Sequence, residues 1–422
     1  MGATSERGSA CECMRTRAGV LRRVLGYGCL MATVGTLALG RAMAEGYQPR
    51  MPSSASLLLQ GRPQEGLLTL HSGYRNHPYI DADALVWLGA AGSDDLSGDV
   101  LTASVGVREP NGYGSARVGR FVLATGAVRP VHLDGVRLVA RARGATLETF
   151  FGVPVAPGLS GRGFDWLAGG RAGQQLLGER LGLGLSYVHQ RDSGMIANEE
   201  VGTDVTLRPL ARLWIRGVAS WDVSLEGLAA AQLHATWAQD RLTVHGFAER
   251  RVAARLLPST SLFSTISDSA ASEVGADLDY QWFPRLSVGG RAALQWIEID
   301  TGLTRGFRAT ARARLALGDQ GEGHALLELS RRGGLAAGYS AAYFGVERMV
   351  WRALYAHASG ELVAADAPGE GGRLWPYANV GLRYGDRRGL SVAGALIARA
   401  TPAAVHEVSA LIRVSYQEHL LP

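Results

Sequence analysis

From Leu67 to Glu418 the chain repeats one unit about twenty times: roughly ten residues alternating apolar and polar, then a short break rich in Gly, Asp, Arg or Pro. Near the C-terminus Val408, Ala410, Ile412, Val414 and Tyr416 form one face of a strand, and Glu407, Ser409, Arg413 and Gln417 form the other, with Leu411 as the exception. A strand needs this pattern when its two faces meet different surroundings. Segments of roughly ten residues are also what a tilted strand needs to cross the hydrocarbon layer of a membrane.

The pattern predicts hairpins most clearly in the second half. Val274, Ala276, Leu278, Tyr280 and Trp282 share an apolar face backed by Glu273, Asp277, Asp279 and Gln281, and Phe283-Pro284 makes the turn. The return strand sets Leu286, Val288, Ala292, Leu294 and Trp296 against Ser287, Arg291 and Gln295. The next sets Phe307, Ala309, Ala311, Ala313 and Leu315 against Arg308, Thr310, Arg312 and Arg314. Turns this tight join antiparallel neighbours. Shorter strands are expected over Leu67 to Arg75, Ala82 to Ala90, Leu101 to Arg108, Gly114 to Leu123, Gly135 to Arg143 and Thr146 to Val153. The expected total is an even number of about 16 to 20 strands.

Trp221, Trp237, Tyr280, Trp282 and Trp296 flank turns on the apolar face, as interfacial girdles require. Edge aromatics in a soluble sandwich give the same signal, but that many strands in a soluble sheet normally split into several domains. The texture does not change after residue 67, so one domain over 67–422 is expected, with 45–66 an irregular lead-in. No apolar run of helical-span length follows the N-terminal region, and the other way across lipid is a closed sheet, in which every backbone N–H and C=O is paired. The fold class expected is therefore all-β: a single antiparallel up-and-down transmembrane barrel.

Composition adds three constraints. Residues 1–44 read as a cleaved export signal: arginines at 15, 17, 22 and 23 precede an apolar run from Val24 to Gly40, and Ala42-Met43-Ala44 supplies the cleavage pattern. The three cysteines, Cys11, Cys13 and Cys29, all lie in that segment, so the remaining chain has neither a disulfide framework nor a cysteine metal site. All 43 basic residues are arginine, and six of them stand in the first 44 residues against Glu6 and Glu12, which contributes +4 of the total +5. The rest of the chain is nearly neutral, with no basic stripe of the kind that binds nucleic acid.

The chain resembles Gram-negative outer-membrane β-barrel proteins of the porin-like kind. The resemblance rests on the signal segment, the strand pattern of 67–418, and one short motif: Gly119-Arg120-Phe121, Gly126, Arg129, Leu133-Asp134-Gly135 and Arg137 look like the strand, loop and strand written G-R, G, R and D-G in many such barrels. It implies a place in the outer membrane, with lipid and lipopolysaccharide as neighbours and a monomer or trimer as the assembly. The chain departs from the family at its end: the family usually finishes on an aromatic residue, whereas Tyr416 is followed here by Gln417 to Pro422.

The polar faces carry the candidate chemistry. Arg137, Arg141 and Arg143 share one face, Arg212 and Arg216 another, and Arg291, Arg308, Arg312 and Arg314 line two adjacent strands beside Glu273, Asp277 and Asp279. If these faces point inward they are pore-lining, and charge rings are how pores choose ions. The competing reading is that the charges pair and fill the lumen as a plug. The long break Val252 to Ala270 is a candidate constriction or equally a surface loop, the segment Ala156 to Phe164 is a second candidate, and Asp81, Asp83, Asp94, Asp95 and Asp99 read as acidic loop residues. Catalytic signals are poor: no G-x-S-x-G or P-loop appears, and the ten histidines show no metal-ligand spacing. His234 and His245 face inward on adjacent strands as lumen fillers. The expectation is a non-enzymatic channel for small hydrophilic solutes, with a mild anion preference and no cofactor or metal. The alternatives are a non-conducting barrel for surface display and, from a third class, an outer-membrane lipid hydrolase.

Overall fold

The computed structural model describes residues 53–60, 65–74, 78–91, 95–155, 165–224, 226–252, 270–299, 302–318, 322–334, 338–369, 372–385, 389–400 and 407–418. They form one 22-stranded antiparallel sheet in which each strand pairs with its sequence neighbours. β1 (Ser53–Gln60) closes the sheet by pairing with both β2 (Glu65–Tyr74) and β22 (Glu407–Glu418), from Ser53↔Glu418 to Gln60↔Leu411. A closed ring leaves no edge strand, so no backbone row is left unpaired where lipid offers no hydrogen bonds.

The strand number corrects the expected 16 to 20, and β1 lies inside the segment expected to be irregular. Three consecutive leucines, Leu57 to Leu59, hide its alternation in the sequence. The ring restores it, since Leu57 and Leu59 are exposed opposite Val414 and Ile412 on the outer face.

The remaining strands are β3 (Ile80–Ala91), β4 (Asp95–Arg108), β5 (Gly114–Leu123), β6 (Val131–Ala142), β7 (Ala145–Pro154), β8 (Trp166–Leu176), β9 (Leu181–Asp192), β10 (Met195–Leu210), β11 (Leu213–Asp222), β12 (Gly227–Gln239), β13 (Leu242–Val252), β14 (Ala270–Phe283), β15 (Leu286–Ile299), β16 (Gly302–Leu317), β17 (Gly323–Gly333), β18 (Tyr339–Trp351), β19 (Leu354–Gly369), β20 (Gly372–Tyr384) and β21 (Gly389–Arg399). Connections of seven residues or more, at 124–130, 155–165, 253–269 and 400–406, all leave one end of the ring. The other end carries two- to five-residue turns, among them Arg143-Gly144, whose positive φ values of 48 and 80° are those of the hairpin turn with both central residues left-handed.

The outer face is apolar along its length. Val274, Leu278, Tyr280 and Trp282 on β14 are 38–54% exposed, while Glu273, Asp277 and Asp279 alternate with them on the inner side. Trp296 lies ten residues up β15 from Leu286, the partner of Phe283. At about 3.3 Å per residue and a tilt of about 40° this spans about 25 Å along the axis, the height of an outer-membrane apolar band. Aromatics close the band at both levels: Tyr280, Trp282, Phe283, Trp351 and Tyr384 below, and Phe151, Tyr187 and Trp221 above. Twenty-two strands about 4.8 Å apart with that tilt give a circumference of roughly 140 Å and, for a round section, a diameter of roughly 44 Å.

Candidate functional site: the lumen wall and its tongue

Among the described residues the inner face is a polar wall interrupted by one packed sector. Residues 124–130, between β5 and β6, leave the rim and lie as a tongue on the inner faces of β8, β9 and β10. Thr125, Ala127 and Val128 are buried, and Ala127 N donates to Ser186 Oγ at 3.3 Å. The docking surface is cut to fit. Gly126 (φ +53) sits where a side chain would meet Arg171, Ser186 and Asp204, and a Cβ at Gly202 would lie 2.5 Å from the Cβ of Ala127. Beneath the tongue Arg171 grips Asp204 through two bonds of 2.9 and 2.6 Å, lying flat across Gly184. Around it Phe121, Leu123, Val128, Val131, Leu133, Phe150, Leu167 and Val188 form a small apolar core inside the ring.

The tongue's base explains the short motif in the sequence. Arg120 and Asp134 are register partners on β5 and β6, as are Gly119 and Gly135. Arg120, only 5% exposed, donates to both oxygens of Asp134 at 2.7 and 2.8 Å, to Asp99 at 3.1 Å and to the Val100 carbonyl at 2.8 Å. Gly135 meets Gly152 backbone to backbone, so close that a Cβ on either would strike the neighbouring strand. The ion pair and the glycines together pin the hairpin from which the tongue departs.

The expected pore-lining residues divide into three groups. Arg137 bonds Glu148 at 2.7 Å, Arg291 bonds Glu273 at 2.6 Å and lies 3.9 Å from Asp277, and Arg312 holds Asp279 through bonds of 3.2 and 2.6 Å. Arg216, Arg308 and Arg314 stand on the inner face, exposed, and no ion pair among the described residues holds them. Arg141 is exposed at the end of β6, beside the Gly112 carbonyl. Arg143 and Arg212 are corrections: both occupy two-residue turns rather than a strand face, because β6 ends at Ala142 and β11 begins at Leu213. Asp81, Asp83 and Asp99 are corrections of the opposite kind. They lie on β3 and β4, with Asp81 paired to Arg117 and Asp83 to His71 and Thr102. Asp94 and the side chain of Asp95 lie outside the described residues, as do 156–164 and 253–269, the two candidate constrictions.

These ion pairs run along the wall. Arg137–Glu148 and Arg291–Glu273 link adjacent strands, while Arg171–Asp204, Arg312–Asp279, Arg117–Asp81 and Arg383–Glu347 skip one. A charge-paired plug needs pairs across the ring, and side chains a few ångströms long do not reach across a diameter of roughly 44 Å. The tongue is the inward-projecting segment among the described residues. Replacing Gly202 with leucine removes its seat, and single-channel conductance is expected to change, by an amount on the order of twofold, as the tethered tongue leaves the wall with the fold kept. Unchanged conductance from a folded Gly202→Leu barrel contradicts a constricting tongue.

A closed 22-stranded ring with an apolar belt and a polar interior is the outer-membrane type of β-barrel. No protein-family model matches the chain, and no curated protein matches it by sequence. Solved structures match by fold. The copper transporter OprC aligns over 88% of this chain and 80% of its own, at a TM-score of 0.54 and 11% identity. The P pilus usher PapC translocation pore covers 88% of this chain and 100% of its own at TM-score 0.46 and 11% identity. Pseudomonas aeruginosa OccK2 (OpdF), solved in complex with glucuronate, covers 89% and 99% at TM-score 0.41 and 11% identity. At 11% identity the likeness to OprC is one of fold alone.

Proposed function

We propose that this chain is an outer-membrane channel through which small hydrophilic solutes diffuse passively, narrowed on one side by the 124–130 tongue. The observation that carries the reading is the opposition of the two faces of one closed wall. Exposed Leu, Val and aromatic rows face out, and charged side chains paired along the wall face in. That surface is at home in lipid, and the long connections gathered at one end mark the extracellular side, with lipopolysaccharide as neighbour. The channel is read as non-enzymatic.

Selectivity follows from the arginines that no ion pair among the described residues holds. Arg216, Arg308 and Arg314 project fixed positive charge into water, while Arg291 and Arg312 are neutralised locally. A mild anion preference results. In planar bilayers under a KCl gradient the reversal potential is expected to lie on the chloride side, and the double variant Arg308→Ser/Arg314→Ser is expected to move it toward zero. A variant with unchanged reversal potential removes the selectivity reading. A folded barrel that conducts nothing removes the channel itself and leaves the surface-display barrel.

A further inference from the structure

Strands β12, β13 and β14 bring two histidines together that the sequence keeps eleven residues apart. His234 and His245 are diagonal neighbours on the inner face, since His234 is level with Phe247 and His245 with Thr236. Their rings are 15° from parallel with centroids 5.3 Å apart, and His234 Nδ1 lies 3.3 Å from His245 Nε2. The outer nitrogen of each ring faces a carboxylate: His234 Nε2 is 3.4 Å from Glu249 Oε1, and His245 Nδ1 is 3.6 Å from Asp277 Oδ2. Both rings keep about 30% of their surface open to the lumen.

We propose that His234 and His245 form an open, exchangeable site for a borderline-soft divalent transition ion, Cu²⁺ or Zn²⁺, on the lumen wall. The spacing fits: two imidazole nitrogens each about 2.0–2.1 Å from one tetrahedral metal are about 3.3–3.4 Å apart. The carboxylates fit as well. A histidine that ligates a metal usually has its other ring nitrogen held by a carboxylate, which fixes the tautomer and makes the ligating nitrogen more basic; Glu249 and Asp277 stand 3.4 and 3.6 Å from those nitrogens, in place to do so. Imidazole donors without thiolate select Cu²⁺, Zn²⁺ and Ni²⁺ over Mg²⁺ or Ca²⁺. The surroundings set the strength. Among the described residues no three His, Cys, Asp or Glu side chains converge on one point, so water or a passing solute fills the remaining positions. Arg291 at Asp277 and Arg251 at Glu249 draw part of the carboxylate charge, and Arg216 is level with His234. An open two-imidazole site flanked by arginines releases its ion readily, as an ion in transit requires and a structural metal does not.

The site needs water in the lumen but not conduction, so it fails or stands separately from the channel. The test is Cu²⁺ binding to the untagged, heat-modifiable barrel of residues 45–422, followed by electron paramagnetic resonance and by equilibrium dialysis. One Cu²⁺ per chain with hyperfine structure from two nitrogens is expected. His234→Ala and His245→Ala are each expected to weaken binding by at least roughly tenfold and to remove the two-nitrogen signature, and Glu249→Gln by roughly tenfold with the signature kept. Two separate histidine variants guard against one failing to fold. A folded wild-type barrel that binds no Cu²⁺ at about 0.1 mM, or binding unaltered by both histidine variants, overturns the site.

Discussion

An arginine in place of Leu233 is expected to destabilise the barrel by about 2 to 4 kcal/mol, whereas an arginine in place of the preceding residue, Gln232, is expected to cost less than about 1 kcal/mol. The two positions are consecutive, near the middle of β12 and at the same depth. Leu233 is 51% exposed on the outer face, opposite Gly217 and Ala248, where a guanidinium would meet hydrocarbon. Gln232 points inward and is the register partner of Glu249, a ready counter-charge. The same side chain is introduced at the same depth in both variants, so the difference is dominated by what lies on either side of the wall. The measurement is the urea midpoint of heat-modifiable gel mobility in lipid vesicles. Equal costs at both positions contradict the assignment of faces.

Removing Asp134 is expected to have an effect of similar size for a different reason. The Arg120 guanidinium is buried, and Asp134 supplies the two-bond grip on it. Breaking a buried pair by deleting one partner leaves an uncompensated charge and costs about 3 to 5 kcal/mol; the lower end is expected for Asp134→Ala because Asp99 and the Val100 carbonyl remain. The double variant Arg120→Leu/Asp134→Leu is expected to recover part of the loss, since the buried guanidinium is gone and the half-buried Asp99 is the charge that then loses its partner. A single variant as stable as the parent shows that the pair does not hold the hairpin. A double variant worse than the single shows that its value lies in something other than charge.

How much of this was legible in the chain depends on how local the signal is. Alternation is local, and it placed the outward rows Val408 to Tyr416 and Val274 to Trp282 and the inward rows of β14 to β16 where the structure has them. Leu411, the exception on β22, points inward, as its place in the alternation requires. Closure is not local. β1 is recognisable only from its partner β22 at the other end of the chain, and it is one of the strands that take the number from the expected 16 to 20 up to 22. The short motif was visible but mute: that Arg120 and Asp134 face each other follows from the β5–β6 register, and that the intervening residues dock on β8 to β10 follows from glycines at 184 and 202 many residues away. Alternation runs on through a two-residue turn without a break in polarity, so it assigns the turn arginines, Arg143 and Arg212, to strand faces. Alternation puts His234 and His245 on adjacent inward faces, but ring-to-ring distance depends on a two-residue stagger between strands that no spacing in the chain records.

The central claim is that a single wall has lipid on one side and water on the other, residue by residue. Because no cysteine follows Cys29, single-cysteine variants of residues 45–422 can be made without background. Introduced one at a time at positions 231–237 of β12 and reconstituted in liposomes, they report directly on which side each residue faces. A charged, water-borne thiol reagent is expected to label 232, 234 and 236 quickly and 231, 233, 235 and 237 slowly, with a lipid-borne quencher giving the complementary pattern from a fluorophore. Labelling that does not alternate, or that alternates with the opposite phase, contradicts the account.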